Sequence, residues 1–317
     1  MIEVENLTKR YGSLTAVSDI SFTIDKGEIV GFLGPNGAGK TTTMRVLTCF
    51  LSATEGSARV AGFDIFDQPH EVKKRIGYLP EAPPIYRDMR VQTYLEFIAN
   101  IKGVPKSKRK ARMDMVMERT GLVERARQEI SQLSKGYRQR VGLAQAIIHD
   151  PEVIVLDEPT SGLDPNQTRE VRRLIEELAQ DRTVILSTHI LPEVAVTCSR
   201  VIIINNGKIS AVDTPTNLSK KMKGNERVYI EVGGTHEAAA AALEGIPGLL
   251  SVERVDEVPG EVTGFYVDAP IENEIRPEIV STLVGKGIDV LELRREEMSL
   301  EDIFVELTTD EPGVEDA

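Results

Sequence analysis

The sequence predicts an α/β fold carrying a helical insertion, followed by a smaller α+β domain, and three observations lead there. Gly34-Pro35-Asn36-Gly37-Ala38-Gly39-Lys40-Thr41 is a full G-x-x-x-x-G-K-[ST] match, lying between an apolar run, Ile29 to Leu33, and a stretch where Met44, Leu47 and Leu51 recur at helical spacing. Val153-Ile154-Val155-Leu156 has the unbroken apolarity of a parallel strand covered on both faces, and it ends at Asp157-Glu158. From about residue 221 the pattern restarts in the order strand, helix, strand, strand, helix, strand, which suggests a ferredoxin-like unit.

Length and composition agree with two domains. The chain has 317 residues, more than one compact domain usually holds, and the expected division is 1–220, 221–309 and an acidic, disordered tail over 310–317. Lys plus Arg number 38 against 50 Asp plus Glu, a formal net charge of -12, which argues against a nucleic-acid partner. No window approaches the roughly 18 consecutive apolar residues of a membrane span, and Met1-Ile2-Glu3-Val4-Glu5 lacks the parts of a signal peptide, so a cytosolic chain is expected. Two cysteines, Cys49 and Cys198, make neither a disulfide framework nor a metal cluster and are read as buried small apolar residues.

Along the chain, Ile2, Val4, Leu14, Val17, Ile20, Phe22 and Ile24 alternate as in short strands, interrupted by a turn at Tyr11-Gly12 where an exposed ring is available to stack on a base. In the loop that follows, Gly34, Gly37 and Gly39 allow backbone N–H groups to face phosphates, and the new helix turns its positive end toward them. Lys40 is expected to reach the outer phosphates and the Thr41 hydroxyl to hold Mg2+. Ala58 to Gly62 and Arg75 to Leu79 read as strands, the second delivering Glu81 just past its end. Helical stripes such as Val91, Tyr94, Leu95, Ile98 and Ile101 mark an insertion over about 85–150, with Lys106 to Arg112 as a solvated basic face.

Ser134 N-caps the helix that closes the insertion, and this helix start is an anion site in its own right. Asp157 and Glu158 reach the C-terminal edge of the sheet, where the first suits Mg2+ ligation and the second activation of a water. Ser161 to Pro165 turns into a helix with Val171, Leu174, Ile175 and Leu178 on one face. Thr183 to Thr188 is the next buried strand, presenting His189 to the same edge, and Val201 to Ile209 forms a hairpin about Asn206-Gly207. The small domain, read as strands at Val228 to Val232, Leu250 to Val258, Val262 to Val267 and Ile288 to Leu293 with helices at Glu237 to Leu243 and Ile275 to Val284, holds no visible chemistry. A last helix is expected over Leu300 to Leu307.

The joint order and spacing of these motifs over about residues 1–215 resemble the nucleotide-binding subunit of ATP-binding cassette (ABC) transporters. The resemblance implies a P-loop NTPase cassette with a mixed sheet core, ATP and Mg2+ as cofactors, a second copy of the chain as partner around two ATP molecules, and an integral membrane permease. Carried onto matching positions, it implies adenine stacking by Tyr11, phosphate and Mg2+ binding by the loop from Gly34 to Thr42, and a signature at Leu133 to Gly136 whose Ser134 and Gly136 contact ATP held by the partner. By the same resemblance Asp157 would hold Mg2+ through water, Glu158 would be the general base, Asp164 would link the two sites across the dimer, and His189 would contact the γ-phosphate. Tyr78-Leu79-Pro80-Glu81 and Ser299-Leu300-Glu301-Asp302-Ile303-Phe304 are similar to the ATPases of two-gene exporters of drugs, lipids or polymers, including the gliding-motility type. The chain departs from the family at Glu81, where glutamine is usual, and at Lys135 and Tyr137 in the signature, where a second glycine and a glutamine are common.

Two other readings stand beside a transport ATPase acting at the cytoplasmic face of the membrane. One is a soluble cassette ATPase of DNA repair or translation, although neither the long coiled coil of the first nor the paired cassettes of the second is present. The other is an importer ATPase whose small domain senses a metabolite.

Overall fold

The computed structural model describes residues 1–190, 194, 196–221, 225–233, 236–255, 262–270 and 274–296. They form two compact units, one over Met1–Pro215 and the other beginning at Thr216. The expected helix at Leu300 to Leu307 and the tail over 310–317 lie outside the described residues.

The first unit holds two sheets. β1 (Ile2–Tyr11), β2 (Leu14–Ile24), β4 (Glu55–Val60) and β5 (Phe63–Asp64) make an antiparallel sheet in the order β2-β1-β4-β5. Its alternation is visible in the register, Ile2 opposite Ile24 and Val4 opposite Phe22, and these side chains share a core with Met44, Val46 and Leu47 of α1 (Lys40–Leu47). Tyr11 ends β1, paired with Leu14, so the ring belongs to a strand terminus and the turn begins one residue later. α2 (Pro69–Arg75), with no apolar stripe long enough to be read in the sequence, leads into β6 (Ile76–Leu79).

The second sheet positions the site. β3 (Ile29–Leu33), β6, β7 (Val153–Asp157), β8 (Thr183–Thr188), β9 (Arg200–Asn205) and β10 (Lys208–Asp213) run in the order β10-β9-β3-β8-β7-β6. All neighbours are parallel except the β9–β10 hairpin at the edge. β8 therefore lies between β3 and β7, and the C-terminal ends of all three strands meet. Burial explains the unbroken apolar runs: Val153, Ile154, Val155 and Leu156 have no exposed surface, each worth about 1.5–3 kcal/mol relative to exposure.

The insertion consists of α3 (Val91–Ile101), α4 (Lys106–Arg119) and α5 (Lys135–Ile147). Arg112, expected on a solvated face, instead donates from Nε to Ile148 O at 3.1 Å and from Nη2 to Ile147 O at 2.9 Å, satisfying carbonyls that α5 leaves free at its end. α6 (Pro165–Ala179) starts where the sequence signals it, with Asp164 as cap and proline at the first position. It buries Val171, Leu174, Ile175 and Leu178.

α7 (Pro215–Lys221) begins at the boundary, and the second unit continues with β11 (Asn225–Gly233), α8 (His236–Glu244), β12 (Ser251–Val255), β13 (Val262–Pro270), α9 (Arg276–Gly285) and β14 (Val290–Glu296). The sheet order β12-β13-β11-β14, antiparallel throughout, is that of a ferredoxin-like fold. Val228, Ile230 and Val232 alternate along β11 and share a core with Phe265, Val267, Ala239, Leu243, Ile279 and Leu283.

Candidate functional site

The loop from Gly34 to Gly39 joins β3 to α1 and needs its glycines for two different reasons. Gly37 and Gly39 have φ of 84° and 107°, in the left-handed region where a side chain is strained. Gly34 does not. A Cβ there would run into Ile204 O and come within 2.9 Å of Ile204 Cγ2 on β9, so Gly34 is required for close approach of the loop to the sheet. The backbone freedom expected of all three glycines is used at Gly37 and Gly39 and not at Gly34. The β9–β10 hairpin also supports the loop directly, Gly207 N donating to Ala38 O at 3.0 Å.

Lys40, Thr41, Thr42, Asn36, Gly37, Gly39, Glu81, Glu158, Ser161 and His189 line one cleft of about 370 Å3 at the ends of these strands. Lys40 is buried and donates from Nζ to Gly34 O at 2.6 Å and Pro35 O at 3.1 Å, with Glu158 Oε1 at 3.9 Å. Burial lowers the pKa of this ammonium, and the carboxylates of Glu158, Asp157 and Glu81 act in the opposite direction.

Asp157 is fully buried. Its Oδ1 accepts from Ser187 Oγ at 2.6 Å and from Thr41 Oγ1 at 3.2 Å, whereas Oδ2 has no hydrogen-bond partner among the described residues. A buried carboxylate oxygen left over, with a hydroxyl of the phosphate loop beside its twin, is a donor set that fits a hard divalent cation. No group of three His, Cys, Asp or Glu side chains among the described residues suffices to hold a metal alone. Mg2+ takes one or two carboxylates and completes its shell with phosphates and water.

Glu158 takes φ of +49°, a conformation of order 1–3 kcal/mol above the ordinary one for such a residue. It is held there by its own N–H donating to Ser187 O at 2.9 Å and by Ser161 N donating to Glu158 O at 3.1 Å. Its carboxylate meets His189 Nδ1 at 2.9 Å through Oε1, and Thr188 Oγ1 donates to Oε2 at 3.5 Å. A carboxylate pinned by backbone and by an imidazole, in a cleft lined by Asn36, Gly37, Gly39, Lys40 and Thr41, is equipped to orient a water and take its proton. Neither the strained backbone nor the part taken by Ser187 is signalled by sequence: glutamate is not a residue that marks the left-handed region, and Ser187 reads as one polar residue in a buried strand.

Ser134, Gly136, Asp164 and Tyr11 stand apart from this cleft. Ser134 caps α5, its Oγ accepting from Tyr137 N at 3.4 Å, and Gly136 is buried where a Cβ would collide with the Gln167 side chain. Asp164 Oδ1 accepts from Asn166 N at 3.0 Å and Gln167 N at 2.9 Å. Tyr11 is 44% exposed, with Lys9 Nζ 5.3 Å from its ring centroid. None of these four lines the cleft. Glu81 is exposed at the cleft and makes no hydrogen bond or ion pair among the described residues.

The family model for ABC transporters matches residues 17–161, and the model for the C-terminal domain of DrrA1-3-like ATP-binding proteins matches residues 214–308. An uncharacterized ABC transporter ATP-binding protein of Bacillus subtilis, YhcH, is 35% identical over 97% of this chain and 96% of its own. The chain belongs to the ABC transporter ATP-binding subunits. The bacitracin transport ATP-binding protein BcrA of Bacillus licheniformis is 34% identical to this ATP-binding subunit over 97% of each. A solved ATP-binding subunit of an ABC transporter superposes with a TM-score of 0.65 at 27% identity, covering 70% of this chain and 93% of that one. The activity of the ATP-binding subunit is hydrolysis of ATP to ADP and phosphate coupled to transport, on a P-loop cassette followed by a DrrA-like domain. No helix among its described residues is long and apolar enough to cross a membrane.

Proposed function

We propose that two copies of this subunit close on two ATP molecules at the cytoplasmic face of the membrane and drive a separate integral membrane permease in the direction of export. The observation that carries the reading is the split among the motif residues. Lys40, Thr41, Glu81, Glu158 and His189 line one cleft, whereas Ser134, Gly136 and Asp164 do not. Residues of a nucleotide-contacting signature that lie off their own chain's cleft are accounted for by nucleotide held in a second copy. Export draws its support from the Nod factor export ATP-binding protein I of Ralstonia nicotianae, 33% identical over 97% of this chain and 94% of its own. The cassette corresponds to about 1–220 and the accessory domain to about 221–309.

In this reading the N–H groups of the loop from Gly34 to Thr42 and the start of α1 hold the phosphate chain, and Lys40 turns from its carbonyls to the outer phosphates. Tyr11, exposed and beside Lys9, stacks on the adenine. Thr41 and Asp157 hold Mg2+, with Glu81 at the cleft as a further carboxylate, and the ion supplies neutralisation of phosphate charge. Glu158 takes a proton from the water that attacks the γ-phosphate in line, while His189, hydrogen-bonded to Oε1, keeps that oxygen oriented and contacts the phosphate. Ser134 and Gly136 of the second copy close the other side, and Asp164 joins the two sites. Most of the acceleration comes from positioning and charge.

The test is recovery of the tagged chain from detergent-solubilised membranes, with identification of what accompanies it and measurement of ATP turnover. The expected result is a polytopic membrane protein in fixed ratio and a turnover that depends on it. A chain recovered free of membrane protein, with the same turnover in its absence, contradicts the reading.

A further inference from the structure

We propose that Ser187 is a positioning residue that sets both acids of the site: its hydroxyl orients the Asp157 carboxylate for a divalent cation, and its carbonyl fixes the backbone of Glu158. The inference rests on the reading of Asp157 as the cation-holding carboxylate.

β8 is buried along its whole length, Val184, Ile185 and Leu186 filling the positions before Ser187. A hydroxyl in such a place costs stability unless it is hydrogen-bonded. Parallel pairing of β8 with β7 sets Ser187 beside Asp157 in register. Ser187 Oγ donates to Oδ1 at 2.6 Å, within the range of short charge-assisted bonds and shorter than the 3.2 Å bond from Thr41. Both donors sit on the same oxygen, and Oδ2 has no partner among the described residues. One oxygen is thus anchored and the other offered. From the same residue, the carbonyl accepts the N–H of Glu158 at 2.9 Å, at the point where that chain takes φ of +49°. Ser187 is fully buried and its hydroxyl and carbonyl are bonded to Asp157 and Glu158, so it acts through these two neighbours.

The experiment is a Mn2+ titration followed by electron paramagnetic resonance, with the protein saturated with ADP, for the wild type, Ser187→Ala, Ser187→Cys, Ser187→Thr and Asp157→Asn. Ser187→Cys keeps the volume with a weak donor, and Ser187→Thr keeps the hydroxyl. Loss of an outer-shell hydrogen bond to a metal ligand costs roughly 10–100-fold in metal affinity. Ser187→Ala and Ser187→Cys should therefore weaken Mn2+ by about tenfold or more, Ser187→Thr should stay near the wild type, and ADP affinity without metal should be unchanged in all three. Thermal unfolding of each variant identifies any that has lost its fold. Wild-type Mn2+ affinity in folded Ser187→Ala or Ser187→Cys, with Asp157→Asn impaired, overturns the inference alone. Wild-type affinity in Asp157→Asn overturns the underlying assignment of the cation.

Discussion

Replacing Gly34 by alanine tests how the phosphate loop is seated. An added Cβ meets the main-chain oxygen of Ile204 and, at 2.9 Å, its Cγ2, and a carbonyl on β9, a strand paired on both sides by β10 and β3, has nowhere to go. The loop must lift instead, carrying away Gly34 O, which holds Lys40 Nζ at 2.6 Å. Overpacking of this kind costs about 1–3 kcal/mol, and at about 1.4 kcal/mol per tenfold the upper end corresponds to roughly a hundredfold in nucleotide affinity. Gly37→Ala is the control: nothing lies within 4 Å of its Cβ, so its cost is only the left-handed backbone, about 1–2 kcal/mol. Thermal unfolding and titration with a fluorescent ATP analogue measure both variants. Gly34→Ala should be the more damaging in each measurement, and a reversed order, or a Gly34→Ala protein that binds like the wild type, refutes the argument from close approach.

Glu81→Gln should retain ATP hydrolysis within about tenfold while needing more free Mg2+ for its half-maximal rate, because one carboxylate near the cation is lost but Glu158 is intact. A Mg2+ titration of turnover checks this, and inactivity at every Mg2+ concentration would mean the base has been assigned to the wrong carboxylate. His149 predicts a pH dependence of stability. Burial, aided by the nearby Lys102 ammonium, pushes its pKa from the usual 6.5 down to about 4, with Nε2 3.1 Å from Ile76 O. A folded pKa below the unfolded one means that the unfolded chain binds the proton more readily, so stability is fully present above pH 6.5 and is lost as pH falls toward about 4. At about 1.4 kcal/mol per pH unit the loss reaches about 3 kcal/mol. Denaturant melts between pH 7 and 4 should show a shallower decline for His149→Gln, and identical slopes would show that other groups set the acid limb.

What was legible in the sequence was what depends on local chemistry. The phosphate loop carries its own glycines and lysine, β7 advertises burial on both faces, and Asp164-Pro165 followed by the Val171, Leu174, Ile175 and Leu178 stripe spells out a capped helix. The strand-helix order of the second unit was enough to give a ferredoxin-like fold. What was not legible depends on neighbours brought in from afar. The need for glycine at position 34 comes from Ile204, 170 residues later, and the value of Ser187 comes from its register with Asp157. Arg112 looked like one charge among many until α5 presented its terminal carbonyls. The strain at Glu158 left no trace because no local residue type requires it, and only the hydrogen bonds around it maintain it.

The measurement that bears most directly on the account is the oligomeric state and turnover of Glu158→Gln in ATP and Mg2+. The amide keeps the shape and leaves Lys40 held by Gly34 O and Pro35 O, so ATP should still bind, while loss of the base lowers turnover by about 10² to 10⁴. ATP that is bound but not hydrolysed should hold two copies together, giving by light scattering a dimer in ATP that returns to monomer when nucleotide is removed. A Glu158→Gln protein that hydrolyses ATP at the wild-type rate, or that stays monomeric at saturating ATP and Mg2+, contradicts the account.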